Sequence, residues 1–220
     1  MSRIFITTVF ILLTIVVQAQ VPVRDEPRHH NVFENEFVRI LDVNIPPGDT
    51  TQFHLHQTPS VFTFLTTSAT GSELQSRAVA ETTSLARTVQ YDSLVKPRVH
   101  RVWNKDKNWF HVLDIELVAS RPSSNPSTLQ EHGLELLFDK PLVNGYRWKI
   151  LSPGKMDLPS GKNGYLLISF DDAHLSCRIK GVVDFRKMKA GHYVWVEGDA
   201  GAAVTVEDAA GGEFLLLQLK

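Results

Sequence analysis

Residues 37–56 read FVRILDVNIPPGDTTQFHLH, and the order of residue types in them sets the fold class. Residues 37–45 are rich in β-branched and aromatic side chains, the composition of a strand. The run stops at Pro46-Pro47-Gly48-Asp49, a turn cluster that cannot continue a strand ladder. A second strand-like run, Phe53-His54-Leu55-His56, follows it. Successive side chains of a strand take opposite faces, so His54 and His56 share one face while Phe53 and Leu55 take the other. Two imidazoles on one face can hold a metal ion once a neighbouring strand brings a third ligand.

The same texture extends outward. Residues 61–66, 109–118, 146–151, 165–170, 192–197 and 214–219 are further short β-branched or aromatic runs. No stretch sustains the i, i+3, i+4, i+7 pattern of an amphipathic helix, and residues 128–138 allow one helical turn before Gly133 interrupts it. Many short strands punctuated by Gly and Pro indicate a β-sandwich or barrel. Between residues 119 and 132 the composition turns to Ser and Pro, as in a linker. The halves on either side echo each other. Asn35-Glu36-Phe37 leads to a strand and Pro47-Gly48, while Asn144-Gly145-Tyr146 leads to a strand and Pro153-Gly154. The expectation is two small β domains, 20–118 and 133–220, with 119–132 as the linker.

The chain has 220 residues, 43% hydrophobic and 21% charged, with 23 basic against 24 acidic side chains and a net charge of −1. That balance excludes the electrostatic footprint of a nucleic-acid binder. The single cysteine, Cys177, excludes an intrachain disulfide and a cysteine-built zinc site. Arg3, an uncharged run over residues 4–17 and then Val17-Gln18-Ala19 have the order of a secretory signal peptide. The run is short for a membrane span of ~20 residues. Residues 1–19 are therefore expected to be cleaved, giving a periplasmic or secreted protein with no stable membrane span. There is no Gly-x-Ser-x-Gly, phosphate-binding glycine loop, His-Glu-x-x-His or Cys-x-x-Cys.

Histidine is the informative residue. His100 and Asn104 stand four apart downstream of the His54/His56 pair. Gly48-x5-His54-x-His56 followed by His100-x3-Asn104 resembles the two-part signature of the cupin superfamily, small jelly-roll barrels. Glu26-Pro27-Arg28-His29-His30-Asn31, together with the Pro-Pro-Gly turn, is similar to a group of exported bacterial cupin-domain proteins. The resemblance implies an all-β fold of cupin-like jelly-roll barrels, two in tandem. It also implies a divalent ion (Fe(II), Mn(II), Ni(II) or Zn(II)) held by His54, His56 and His100.

The chain departs from the pattern in three places. Ser60 and Val61 stand where the family places a glutamate ligand, and Val95 and Pro97 where it has proline and glycine. The stretch from 57 to 99 is also long, so an insertion is expected around residues 69–87. Three neutral imidazoles would leave the ion's full charge, which favours an anionic or chelating small molecule. The activity implied is that of a small-molecule dioxygenase or isomerase. The alternative is a non-catalytic periplasmic protein that binds a sugar or organic acid. No catalytic residue and no organic cofactor is assigned.

Other residues carry open alternatives. His111 can face the pocket or simply pack, and Phe62, Phe64, Trp103 and Trp109 can line a cavity or fill a core. Arg98 and Arg101 flank His100 and are either carboxylate grips or rim charges. His29 and His30 are expected at the surface or between subunits, and Cys177 as a small buried residue. In the second half, aligning Gly154 with Gly48 puts Ser160 and Lys162 in the places of His54 and His56. Aligning Lys189-Ala190-Gly191 with the late motif puts Val194 in the place of the third ligand. That half is expected to be a barrel without metal, either buttressing the first or forming a homodimer surface.

Overall fold

The computed structural model describes residues 20–75, 79–119, 122, 126–150, 153–160, 163–179, 182–198, 202–206 and 212–220. The expected signal peptide, Lys162 and part of the expected linker lie outside them. The first half opens with β1 (Val21–Pro22) and a 3-10 turn (Val23–Asp25). Then come β2 (His29–Glu34), β3 (Val38–Ile45), β4 (His54–His56), β5 (Ser60–Phe64) and β6 (Ser68–Leu74). It closes with β7 (Val79–Ser84), β8 (Val89–Asp92), β9 (Arg98–Asn104) and β10 (Phe110–Leu117). The strands form an outer sheet, β1-β4-β9-β6-β7, and an inner sheet, β2-β3-β10-β5-β8.

The second half contains β11 (Leu134–Lys140), β12 (Val143–Ile150), β13 (Gly154–Leu158), β14 (Tyr165–Ser169) and β15 (Ala173–Ile179). It ends with β16 (Val182–Met188), β17 (Tyr193–Val196), β18 (Ala202–Val206) and β19 (Gly212–Leu219). Its outer sheet is β13-β18-β15-β16 and its inner sheet β11-β12-β19-β14-β17. Leaving β1 aside, each strand of the first half has a counterpart nine places later, in the same order in the sheet. The molecule is all-β, a tandem of two jelly rolls. Among the described residues no helix is long and apolar enough to cross a membrane.

Three apolar layers hold it together. Leu41, Val43, Ile45, Phe110 and Val112 fill the first barrel. Tyr146, Trp148, Met156, Leu167, Val204 and Phe214 belong to the fill of the second. The third layer lies between the halves, where Ile40, Leu113, Ile115 and Leu117 of one inner sheet meet Leu166, Ile168, Leu215 and Leu217 of the other. Inner strands are thus buried on both faces, which is why β14 and β19 read as nearly unbroken apolar runs. Arg87 crosses the same boundary to Asp171 and Glu213.

Two expectations are corrected. Residues 134–140 form β11 rather than any helical turn, because β12 offers a ladder and apolar cover that outweigh local propensity. The supposed insertion at 69–87 is the regular pair β6 and β7, with a counterpart in β15 and β16.

Candidate metal centre

The Pro-Pro-Gly turn is clamped to the end of β9. Gly48 adopts φ +73°, a left-handed conformation that suits glycine, and its N–H donates to the Asn104 carbonyl at 3.0 Å. The Asn104 side-chain amide donates to the carbonyls of Ile45 at 3.0 Å and Asn108 at 2.7 Å. Asn104 is therefore a buried fastener. β4 then pairs with β9 antiparallel, with His54 opposite His100 and His56 opposite Arg98. Directly opposed residues share a face, so the strand alternation that joins His54 to His56 brings His100 to the same side.

One ligand atom from each of the three imidazoles lies within 4.8 Å of those of the others. His56 Nε2 and His100 Nε2 are 3.0 Å apart. That is about the separation of adjacent ligands around an octahedral ion with bonds of ~2.1 Å. His54 donates Nδ1–H to the Gln52 carbonyl at 2.9 Å, which leaves Nε2 buried and without a partner. Asp114 Oδ2 stands 3.6 Å from His56 Nδ1. Burial pushes all three imidazoles down: His54 to about 4, helped by His29, and His100 to about 2, helped by His54. Burial and His100 lower His56 further. At neutral pH the rings are uncharged and present lone pairs, so a cation fits this donor set.

Asp114 projects inward from β10 and is fully buried. Burial first, and the neighbouring Glu116 charge second, push its carboxyl up to about 7. The centre opens into a cavity of about 400 Å³ whose apolar wall includes Val43, Ile45, Phe62, Phe64, Phe110 and Val112. Arg98 lines it as well and is paired with Asp92.

The remaining candidates separate. Phe62 and Phe64 are cavity walls, whereas Trp109 is 55% exposed and Trp103 lies flat across Gly71. His111 is bonded to Asp42 at 2.6 Å and does not line the cavity. Arg101 is held by Glu73 and sits over the Phe53 ring. Cys177 is buried, and that burial pushes its thiol up to about 11. A shallower depression of about 470 Å³, around Asp42, Arg186 and His192, is distinct from the triad.

His30 is exposed, as expected, but His29 is not: it is 7% exposed, lines the cavity and packs against His54. Its signal in the sequence was Glu26 three residues earlier, a carboxylate positioned to hold an imidazole.

Strand register also corrects the alignment of the second half. β18, not β17, is the counterpart of β9. Leu158 pairs with Ala202 as His54 pairs with His100, so Leu158, Ser160 and Ala202 occupy the three ligand positions.

No family model matches the chain, and no curated protein matches it. Solved structures do. A cupin 2 conserved barrel domain protein from Leptotrichia buccalis aligns with a TM-score of 0.57 at 11% identity, over 87% of this chain and 88% of that one. YhhW from Escherichia coli aligns with a TM-score of 0.58 at 16% identity, over 89% of each chain. Salicylate 1,2-dioxygenase from Pseudoaminobacter salicylatoxidans, solved with gentisate, aligns with a TM-score of 0.60 at 7% identity, over 84% of this chain and 70% of that one. At these identities the likeness is one of fold.

Proposed function

We propose that this chain, which has the cupin fold, is an exported metal-binding protein acting on a small molecule as a dioxygenase or isomerase. The observation that carries the reading is the convergence of His54 and His56, both buried, and the half-buried His100, all uncharged at neutral pH, on one cavity with a phenylalanine wall. Those three side chains would hold a divalent ion, and when bound it supplies a Lewis acid with coordination positions left for ligand or O₂. The chain's own part is positional. The Gln52 carbonyl fixes the His54 ring, Asp114 faces the far edge of His56, and the phenylalanine wall keeps water from the ligand. An ion held by three neutral imidazoles keeps its full charge, and a neighbour of the same fold holds gentisate. Both support a small chelating anion as the ligand. The second barrel, with Leu158, Ser160 and Ala202 in the ligand positions, serves as a buttress without metal.

Metal analysis of freshly purified protein tests this. We expect one ion per chain, lost in His54→Ala and in His100→Ala and retained in His174→Ala and His192→Ala. Protein that is metal-free but carries a tightly held small molecule would overturn the reading in favour of a non-catalytic binding protein. For export, N-terminal sequencing of the protein made in a bacterial host is expected to begin at Gln20. An intact Met1 would refute cleavage.

A further inference from the structure

A fourth imidazole stands at this centre, and the three ligands do not account for it. His29 opens β2, and its ring centroid lies 4.6 Å from that of His54. Glu26, only 2% exposed, holds it in place. Glu26 Oε2 accepts His29 Nδ1–H at 2.6 Å and the Arg28 N–H at 2.7 Å, while Oε1 accepts the Gln52 N–H at 3.1 Å. Burial alone would raise the Glu26 carboxyl; these donors, His29 foremost, outweigh it and hold the group below the usual carboxylate range. Gln52 is the shared joint, because its N–H binds Glu26 and its carbonyl binds His54. One residue therefore sets both rings relative to each other.

A buried carboxylate with three donors is a costly feature to keep for packing alone. It fixes which edge of His29 is free. With Nδ1–H given to Glu26, the ring nitrogen left for the cavity is Nε2, a hydrogen-bond acceptor in the neutral ring. His29 is not a fourth member of the ligand set, since the mutually close ligand atoms belong to His54, His56 and His100 alone among the described residues. We propose that Glu26 and His29 form a ligand-gripping pair, in which His29 Nε2 accepts a hydrogen bond from a hydroxyl of the small molecule seated beside the three histidines. The ligand is then a hydroxylated one, its hydroxyl toward His29 and its body against Phe62, Phe64 and Phe110. The pair takes its place in catalysis from the metal reading above, but the hydrogen bond itself needs only the cavity.

The test uses two probes on the full chain, each in metal-loaded and chelator-treated form. One is 4-nitrocatechol, which carries hydroxyls; the other is picolinate, which chelates without one. Long-range ¹H–¹⁵N correlation is expected to show His29 protonated at Nδ1, with its Nε2 resonance moving on addition of 4-nitrocatechol and not of picolinate. His29→Phe is expected to weaken 4-nitrocatechol at least tenfold, with picolinate affinity and metal content unchanged, and Glu26→Gln to have a smaller effect in the same direction. Equal weakening of both probes, or release of the metal by His29→Phe, would overturn the proposal. So would 4-nitrocatechol that binds without moving His29, or that binds in neither form. If the wild-type chain holds no metal, the metal reading fails separately. The chelator-treated arm still decides the pair: a moved Nε2 resonance upholds it, and an unmoved one overturns it.

Discussion

Asp114 faces His56 from 3.6 Å, inside a strand whose neighbours Val112 and Ile115 are apolar and buried. Its folded-state carboxyl, pushed up to about 7 by burial and by Glu116, lies above its ordinary value of 3.8. The fold therefore prefers the protonated acid. The contribution to stability is fully present below the ordinary value and is lost as pH rises through about 7. Metal-free protein is expected to lose up to ~4 kcal/mol between pH 4 and 8 through this group, at ~1.4 kcal/mol per pKa unit. Asp114→Asn is expected to flatten that slope in urea unfolding followed across pH; an unchanged slope would refute the assignment. The residue also marks what was legible. His54, His56 and His100 could be found because alternation and a spaced motif are local signals. Asp114 and Glu26 act across 58 and 26 positions of sequence, on His56 and Gln52, and only the packing of one sheet and its loops on the other brings them there.

Among the elements, β6 shows how tightly the outer sheet is built. The Trp103 ring lies across Gly71, 2.1 Å from where a β-carbon would sit. Trp103 and Gly71 are cross-strand partners, and Trp103 follows three residues after His100 on β9. Gly71→Ala is expected to cost roughly 1–3 kcal/mol by overpacking, measured by chemical denaturation, and to lower metal affinity by disturbing β9. Wild-type stability in this variant would show that Trp103 has room to move. β6, Ser68-Ala69-Thr70-Gly71-Ser72-Glu73-Leu74, was not readable as a strand, because its partners supply the apolar surface it lacks. β7 and β16 were hidden for a related reason: each edges its sheet with most of its residues exposed, so burial imposed no alternation on them. β14 and β19, packed between other layers, were legible as nearly unbroken apolar runs, and β3 and β10 by their β-branched and aromatic residues.

For the molecule as a whole, the layer shared by the inner sheets decides how it unfolds. Leu217 is fully buried between the halves, in the same layer as Ile40, Leu113 and Ile115 of the first barrel. Leu217→Ala is expected to cost ~2–5 kcal/mol and to lower the single thermal transition of both halves together, as seen by calorimetry. Two separate transitions, only one of them shifted, would mean that the halves fold independently. The duplication was visible in the sequence as an echo of turns, but its register was misread, by two residues at the first ligand position and by a whole strand at the third. The second barrel carries Leu158 and Ala202 where the first has histidines, so no ligand anchored the alignment. The start of the described chain has a practical consequence for anyone preparing this protein. β1 runs parallel to β4 and sets Val21 against His54, so an affinity tag fused ahead of Gln20 would hang beside the strand that bears two of the three histidines. The other end is no safer, because Lys220 is 7% exposed and tied to Asp139. The place to attach a label or a surface tether is the turn at Val95, 88% exposed, which borders β8 and β9 without belonging to either.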